Sequence, residues 1–177
     1  MRHFLMIVCL CLMPFTVRAT QVTAMPLSVL VTGSDHVLVG KVEKVEMVDE
    51  RGHELLDRQA RTGPGLKNEL RLHVVIEKDG VLKTNLKKVP AKLVLPLWQM
   101  WHFSLGQWKD DGEGKVYIFF LKGQDFLPFS QAEFFHDIRD KQNVERLLRN
   151  GARRQAVGVN RSSQATNQPS SSPESRR

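Results

Sequence analysis

The apolar positions of Pro26-Leu27-Ser28-Val29-Leu30-Val31-Thr32-Gly33 fall at 27, 30 and 31, a helical spacing. Proline opens that stretch and glycine ends it, where a left-handed residue closes many helices. An irregular lead-in to the next strand is the alternative, because Val29 and Val31 favour extended backbone. From Val37 to Met47 the period becomes two, but its phase slips. Val37 and Val39 share one face, Val42 follows, and Val45 and Met47 return to the first, with Gly40 in the slip. A glycine there predicts a bulge or bend that turns a barrel corner or lets one strand serve two sheets. Otherwise Lys41 and Glu43 stand at the rim of a flat sheet.

Residues 48–68 show no sustained period and carry Gly52, Gly63, Pro64 and Gly65, which predicts a long loop with one short helical turn near Leu55 and Leu56. Loops of that length are functional or mobile. Leu70, Leu72, Val74 and Ile76 then point inward along a strand that ends in a turn at Lys78-Asp79-Gly80. In the next strand Leu93, Leu95 and Leu97 face one way, with Val94 and Trp98 opposite. Pro96 lacks a ladder donor, so this strand belongs at an edge or a bulge. After a turn at Asp110-Asp111-Gly112-Glu113-Gly114, Lys115 to Lys122 is apolar on both faces and should be the most buried strand.

Ser130-Gln131-Ala132-Glu133 has capping-box spacing for a short helix, while Phe134 and Phe135 equally suit a strand. Asp140 to Asn150 reads as a helix capped by Asp140, with Val144, Leu147 and Leu148 as its stripe and Gly151 as its end. Residues 151–177, rich in Ser, Gln, Asn and Pro, cannot repay their ordering entropy and should form a disordered tail.

The first 19 residues, MRHFLMIVCLCLMPFTVRA, combine a basic start, 12 apolar residues from Phe4 to Phe15 and the small-residue ending Val17-Arg18-Ala19. That is the pattern of a secretory leader. Val22-Thr23-Ala24 satisfies the same rule, so the cut falls after residue 19 or 24. Twelve apolar residues fall short of the roughly 20 that span a bilayer, so the mature chain should carry no transmembrane segment. Cys9 and Cys11, the two cysteines of the chain, lie in the leader behind Val8 and Leu10, which are too large for lipidation. A mature domain over 25–150 must therefore hold together by packing alone, which suits a bacterial periplasm or a secreted product.

The net charge of +7 concentrates in leader and tail, since residues 20–150 hold 19 basic and 18 acidic side chains. Such a domain has no electrostatic footprint for a phosphate backbone, so nucleic acid is an improbable partner.

One helix, Val-Leu-Val-Gly-Lys-Val at 37–42, Val-Leu-Lys at 81–83, Gly-Lys-Val-Tyr-Ile-Phe-Phe-Leu at 114–121 and a last helix follow one another in a recognisable order. That order resembles the exported, cysteine-poor OB-like barrels of uncharacterised bacterial proteins. In outline it resembles the barrel of netrin and metalloproteinase-inhibitor modules. The resemblance covers about residues 26–150 and implies a mainly β, α+β fold: a small antiparallel OB-like barrel with flanking helices. The animal inhibitors depend on disulfides and an N-terminal cysteine that the mature chain lacks, so no functional residue carries over.

The chemistry in the sequence is sparse. His36, His53, His73, His102 and His136 show no ligand spacing, no Gly-x-Ser-x-Gly or phosphate cradle occurs, and no cofactor is implied. Asp110, Asp111 and Glu113 form an acidic turn of solvated character. The densest aromatic stretch is Trp98-Gln99-Met100-Trp101-His102-Phe103, with Trp108 close behind. At strand spacing its rings divide between two faces. Either the outward set binds a partner, or the 48–68 loop folds over the rings and completes the core. The expected function is a non-catalytic module binding a protein, peptide or cell-envelope component through Trp98, Trp101 and His102. The alternatives are an envelope hydrolase pairing His73, His102 or His136 with Asp137 or Glu77, and a single-stranded nucleic-acid binder.

Overall fold

A computed structural model describes the backbone of residues 24–97 and 102–165, with side chains as far as Arg153. Helix α1 (Leu27–Gly33) leads into strand β1 (His36–Val48), followed by β2 (Glu69–Lys83) and β3 (Lys92–Pro96). Helix α2 (Leu105–Gly112), strands β4 (Val116–Lys122), β5 (Leu127–Pro128) and β6 (Phe135–Asp137), a 3-10 turn (Ile138–Asp140) and helix α3 (Lys141–Ala165) complete the order. The six strands form one antiparallel sheet in the order β3-β2-β1-β4-β5, with β6 also on β4. The fold is thus mainly β, as the alternation predicts. The sheet does not close into a full barrel: β3 and β5 approach each other at its two ends without pairing.

Strand β1 is the centre of the molecule. Its neighbours are β2 along its whole length and β4 along His36–Lys41, and residues 36 to 40 are buried on both faces. Leu38, Val42, Val45 and Met47 join Leu70, Leu72, Val74, Leu93, Leu95, Phe119 and Leu121 in the main core. Val37 and Val39 point the other way, into a second core with Ile118 and Phe120, covered by Leu30 and Val31 of α1 and Val144 of α3. The phase slip is real, but Val45 and Met47 return to the face of Leu38, not to that of Val37. Val42 faces Val74 and Lys44 faces His73, so Glu43 is the extra residue of a bulge on β1.

The turn expected at residues 78–80 lies inside β2. Leu38 faces Val81 while Gly40 faces Ile76, so Glu77–Gly80 bulge out of the ladder, with Asp79 at φ 61°. Hydrogen bonding carries β2 onward because Val81 and Lys83 still find partners on β1. Two glycines permit this close passage. A Cβ on Gly40 would stand 2.5 Å from Val74 Cγ1, and one on Gly80 would stand 2.4 Å from the Val39 carbonyl.

Strand β3 is a terminal strand, as Pro96 predicts. Leu97 donates to the Leu70 carbonyl at 2.8 Å and Ile76 to that of Ala91 at 2.9 Å, so the alternate residues Lys92, Val94 and Pro96 turn their backbone groups outward. Strand β4 is buried on both faces at Ile118, Phe119, Phe120 and Leu121, as its apolar run predicts, but β1, buried on both faces over residues 36 to 40, is the more enclosed strand.

The helices depart from expectation in three places. Gly33 ends α1 without a left-handed cap. Instead Lys83 Nζ donates to the carbonyls of Val31 (3.0 Å), Thr32 (3.2 Å) and Ser34 (2.5 Å), a cation at the negative helix end. Burial lowers the pKa of Lys83, and nearby Asp35 opposes that shift. Residues 130–133 form no helix; Phe135–Asp137 extend as β6, the strand alternative. Helix α3 does not stop at Gly151. It continues to Ala165, so 151–165 are helical where composition predicts a disordered tail. A Cβ on Gly151 would meet nothing, and the good helix formers Ala152, Arg153, Arg154 and Gln155 follow, so one glycine costs only about 1 kcal/mol there. Residues 1–23, where the leader is expected, and 166–177 lie outside the described residues. Among those described, no helix is long and apolar enough to cross a membrane.

Gly40→Ala should destabilise the fold by about 1–3 kcal/mol through overpacking. Adding Val74→Ala, which removes the clashing methyl, should recover part of that loss. Chemical denaturation of the four-member cycle should therefore show clear non-additivity.

Candidate functional site

The three residues singled out by the sequence fare differently. Trp98 and Trp101 lie outside the described residues. His102 is exposed, and its ring lies against the backbone of Gly63, where a Cβ would stand 2.2 Å from Nδ1 and where φ is +153°. Strand β3 ends at Pro96, so the alternation of faces assumed for this stretch does not extend to His102 and Phe103.

Just beyond, the chain enters α2, whose last turn occupies Asp110–Gly112, where the sequence predicts a turn. Its start is coded locally: the Ser104 side chain accepts a hydrogen bond from the Gln107 amide at 3.3 Å, a cap with the Ser-x-x-Gln spacing of a capping box. The 48–68 loop straps this helix down. Leu105 donates to the Ala60 carbonyl (3.0 Å), Gly106 to that of Arg58 (2.8 Å) and Thr62 to that of Phe103 (2.9 Å). Arg58 Nη2 grips both oxygens of Asp110, at 2.6 and 2.7 Å. The loop also lends Leu55 and Ala60 to the main core, while Leu56 is exposed and the expected helical turn near it is absent. The acidic turn is structural as well, since Glu113 Oε1 accepts from the Val45 amide at 2.8 Å.

Strapping α2 in place creates a cavity of about 240 Å³ where α2, the end of β3 and the start of β6 converge. Leu97, Phe103, Trp108, Ala132, Phe134 and Phe135 line it, with Gln131 as the polar member. The rings stand edge to face: Phe103 and Trp108 at 5.4 Å and 84°, Trp108 and Phe135 at 5.9 Å and 73°, Phe134 and Phe135 at 5.2 Å and 80°. Such contacts hold each ring in a fixed orientation. Phe134 is fully buried and the other rings are half-buried, so the cavity is an opening into the main core. The sequence pointed to this neighbourhood through Phe103 and Trp108. It missed Leu97, Phe134 and Phe135 as lining, because only the three-dimensional path brings β6 beside α2.

His73 and His136 meet carboxylates other than the Glu77 and Asp137 expected from the sequence. His73 Nε2 meets Glu46 at 3.0 Å, not Glu77, within an ion-pair patch on the outer face of β1 and β2 that includes Lys44, Glu54, Glu69 and Arg71. The His73 hydrogen bond holds the Glu46 carboxyl below its usual range; partial burial opposes this and Lys44 reinforces it. His136 sits between Glu133 (3.1 Å on Nε2) and Asp140 (3.1 Å on Nδ1), while Asp137 pairs with Arg139. The two carboxylates flank opposite ring nitrogens and cannot converge on one ion. His36 is fully buried, with Nε2 donating to the Gly123 carbonyl and Nδ1 accepting from Thr84, both at 2.9 Å, a staple across three segments. Among the described residues no group of three His, Cys, Asp or Glu side chains could hold a metal ion.

The chain matches no protein-family model and no curated protein.

Glu46→Gln should cost about 1 kcal/mol near neutral pH. Because the folded carboxyl titrates below its unfolded value of about 4.3, the wild-type advantage is complete above that value. It fades as pH falls through the folded pKa, so melting curves of the two proteins from pH 7 to pH 3 should converge at the acid end.

Proposed function

We propose that the protein is an exported, non-catalytic binding module that captures a peptide segment by taking one large apolar or aromatic side chain into the cavity between α2, β3 and β6. The observation that carries this reading is the ring-lined opening itself, left where the sheet fails to close. Its volume of about 240 Å³ lies below the roughly 300–1,000 Å³ of small-molecule and cofactor sites, and suits a single side chain. Gln131, exposed at the lining, offers an amide with two donors and an acceptor, which complements a peptide group. Rigid aromatic walls lose little entropy on binding. Exposed His102, next in sequence to Phe103, would extend the contact surface, and Trp98 and Trp101, the other two residues expected to bind, precede it in the chain. Export is read from the leader pattern of residues 1–19, and the near-neutral domain agrees with a protein ligand over nucleic acid.

Panning a phage-displayed library of random peptides against the purified protein should enrich sequences sharing a Trp, Phe or Leu. Calorimetry with a synthetic enriched peptide should give a micromolar Kd. Ala132→Trp, or the milder Ala132→Leu, fills the cavity and should weaken that peptide by at least about tenfold, a change of about 1.4 kcal/mol. An unenriched library, or folded cavity-filled variants that bind as tightly as the parent, would refute the reading.

A further inference from the structure

Ala24 is exposed, Met25 is half-buried against the second core, and Pro26 opens α1. At that boundary the Met25 nitrogen donates to Glu133 Oε2 at 2.7 Å, a contact between residues 108 apart in sequence. Glu133 is itself held in place, since its other oxygen meets His136 Nε2 at 3.1 Å and the far side of that ring meets Asp140. The His136 ring in turn stands edge-on to Phe120, 5.6 Å away. A fixed, partly enclosed carboxylate therefore faces the nitrogen that follows Val22-Thr23-Ala24, the second of the two small-residue endings.

We infer that the leader is removed by hydrolysis of the Ala24–Met25 bond and that Glu133 receives the α-ammonium group this creates. The inference rests on the export reading above. Water adds across the peptide bond; Ala24 leaves as a carboxylate, and Met25 becomes the first residue of the mature chain with a protonated amine. The bond from the amide to the carboxylate is charged on one side only; with the ammonium group it becomes an ion pair, adding the attraction of two opposite charges. Cleavage after Ala19 would leave Thr20–Ala24 as an overhang, carrying the ammonium group five residues away from Glu133. Processing at Ala24 thus couples maturation to stability, because the precursor lacks an ion pair that the product has.

The full-length gene, expressed with its own leader in a bacterial host, supplies the test. Intact-mass measurement and N-terminal sequencing of the envelope product should give a chain starting at Met25. A product starting at Thr20 would overturn the inference while leaving export intact, and an uncleaved chain would overturn both. Glu133→Gln, compared in chains starting at Met25 and at Thr20, separates the ion pair from the other bonds of Glu133. It should lower the Tm of the Met25 chain by about 2–4 °C more than that of the Thr20 chain. Equal losses in the two would exclude Glu133 as the partner of the ammonium group.

Discussion

The requirement that one strand be dry on both faces governs this molecule. The first half of β1 separates two cores, with Leu38 facing one and Val37 and Val39 the other. A strand enclosed in this way must satisfy its backbone groups on both edges, because an unpaired buried amide or carbonyl costs as much as a lost hydrogen bond. Strands β2 and β4 provide those edges, and α1 and α3 close the second face. The bulges at Glu43 and at residues 77–80 follow from the same requirement. They let β2 remain paired while the sheet curls around the main core.

Curling without closure leaves the sheet with two free borders. Strands β5 and β6 hold only two and three residues and do not pair with β3, and α2, strapped down by residues 58–62, packs on β1 beside that gap. A helix packs against a sheet end less completely than a strand pairs with it. The leftover space is lined by whatever rings meet there, and this explains why the cavity is both apolar and small.

Much of the fold was legible in the chain. The alternation of Leu70 to Ile76, the leucines at 93, 95 and 97, and the doubly apolar 116–121 each announced a strand, because period-two burial leaves a direct trace in composition. Pro96 announced an edge. Helix α2 was hidden because Lys109, Asp110 and Asp111 look like turn residues, although Ser104 and Gln107 carried its capping signal. The end of α3 was misplaced because a glycine in open space stops nothing. The candidate site was half legible: Phe103 and Trp108 belong to one aromatic-rich stretch, whereas their meeting with Phe134 and Phe135 depends on contacts far apart in sequence.

The outward edge of β3 has one more consequence. A second copy approaching it to add a strand would find no donor at Pro96 and an ammonium at Lys92 already engaged with Glu43 at 2.6 Å. Prolines and charged side chains at such borders interrupt edge-to-edge stacking. The open sheet is thereby guarded against runaway self-association along the very border where it fails to close.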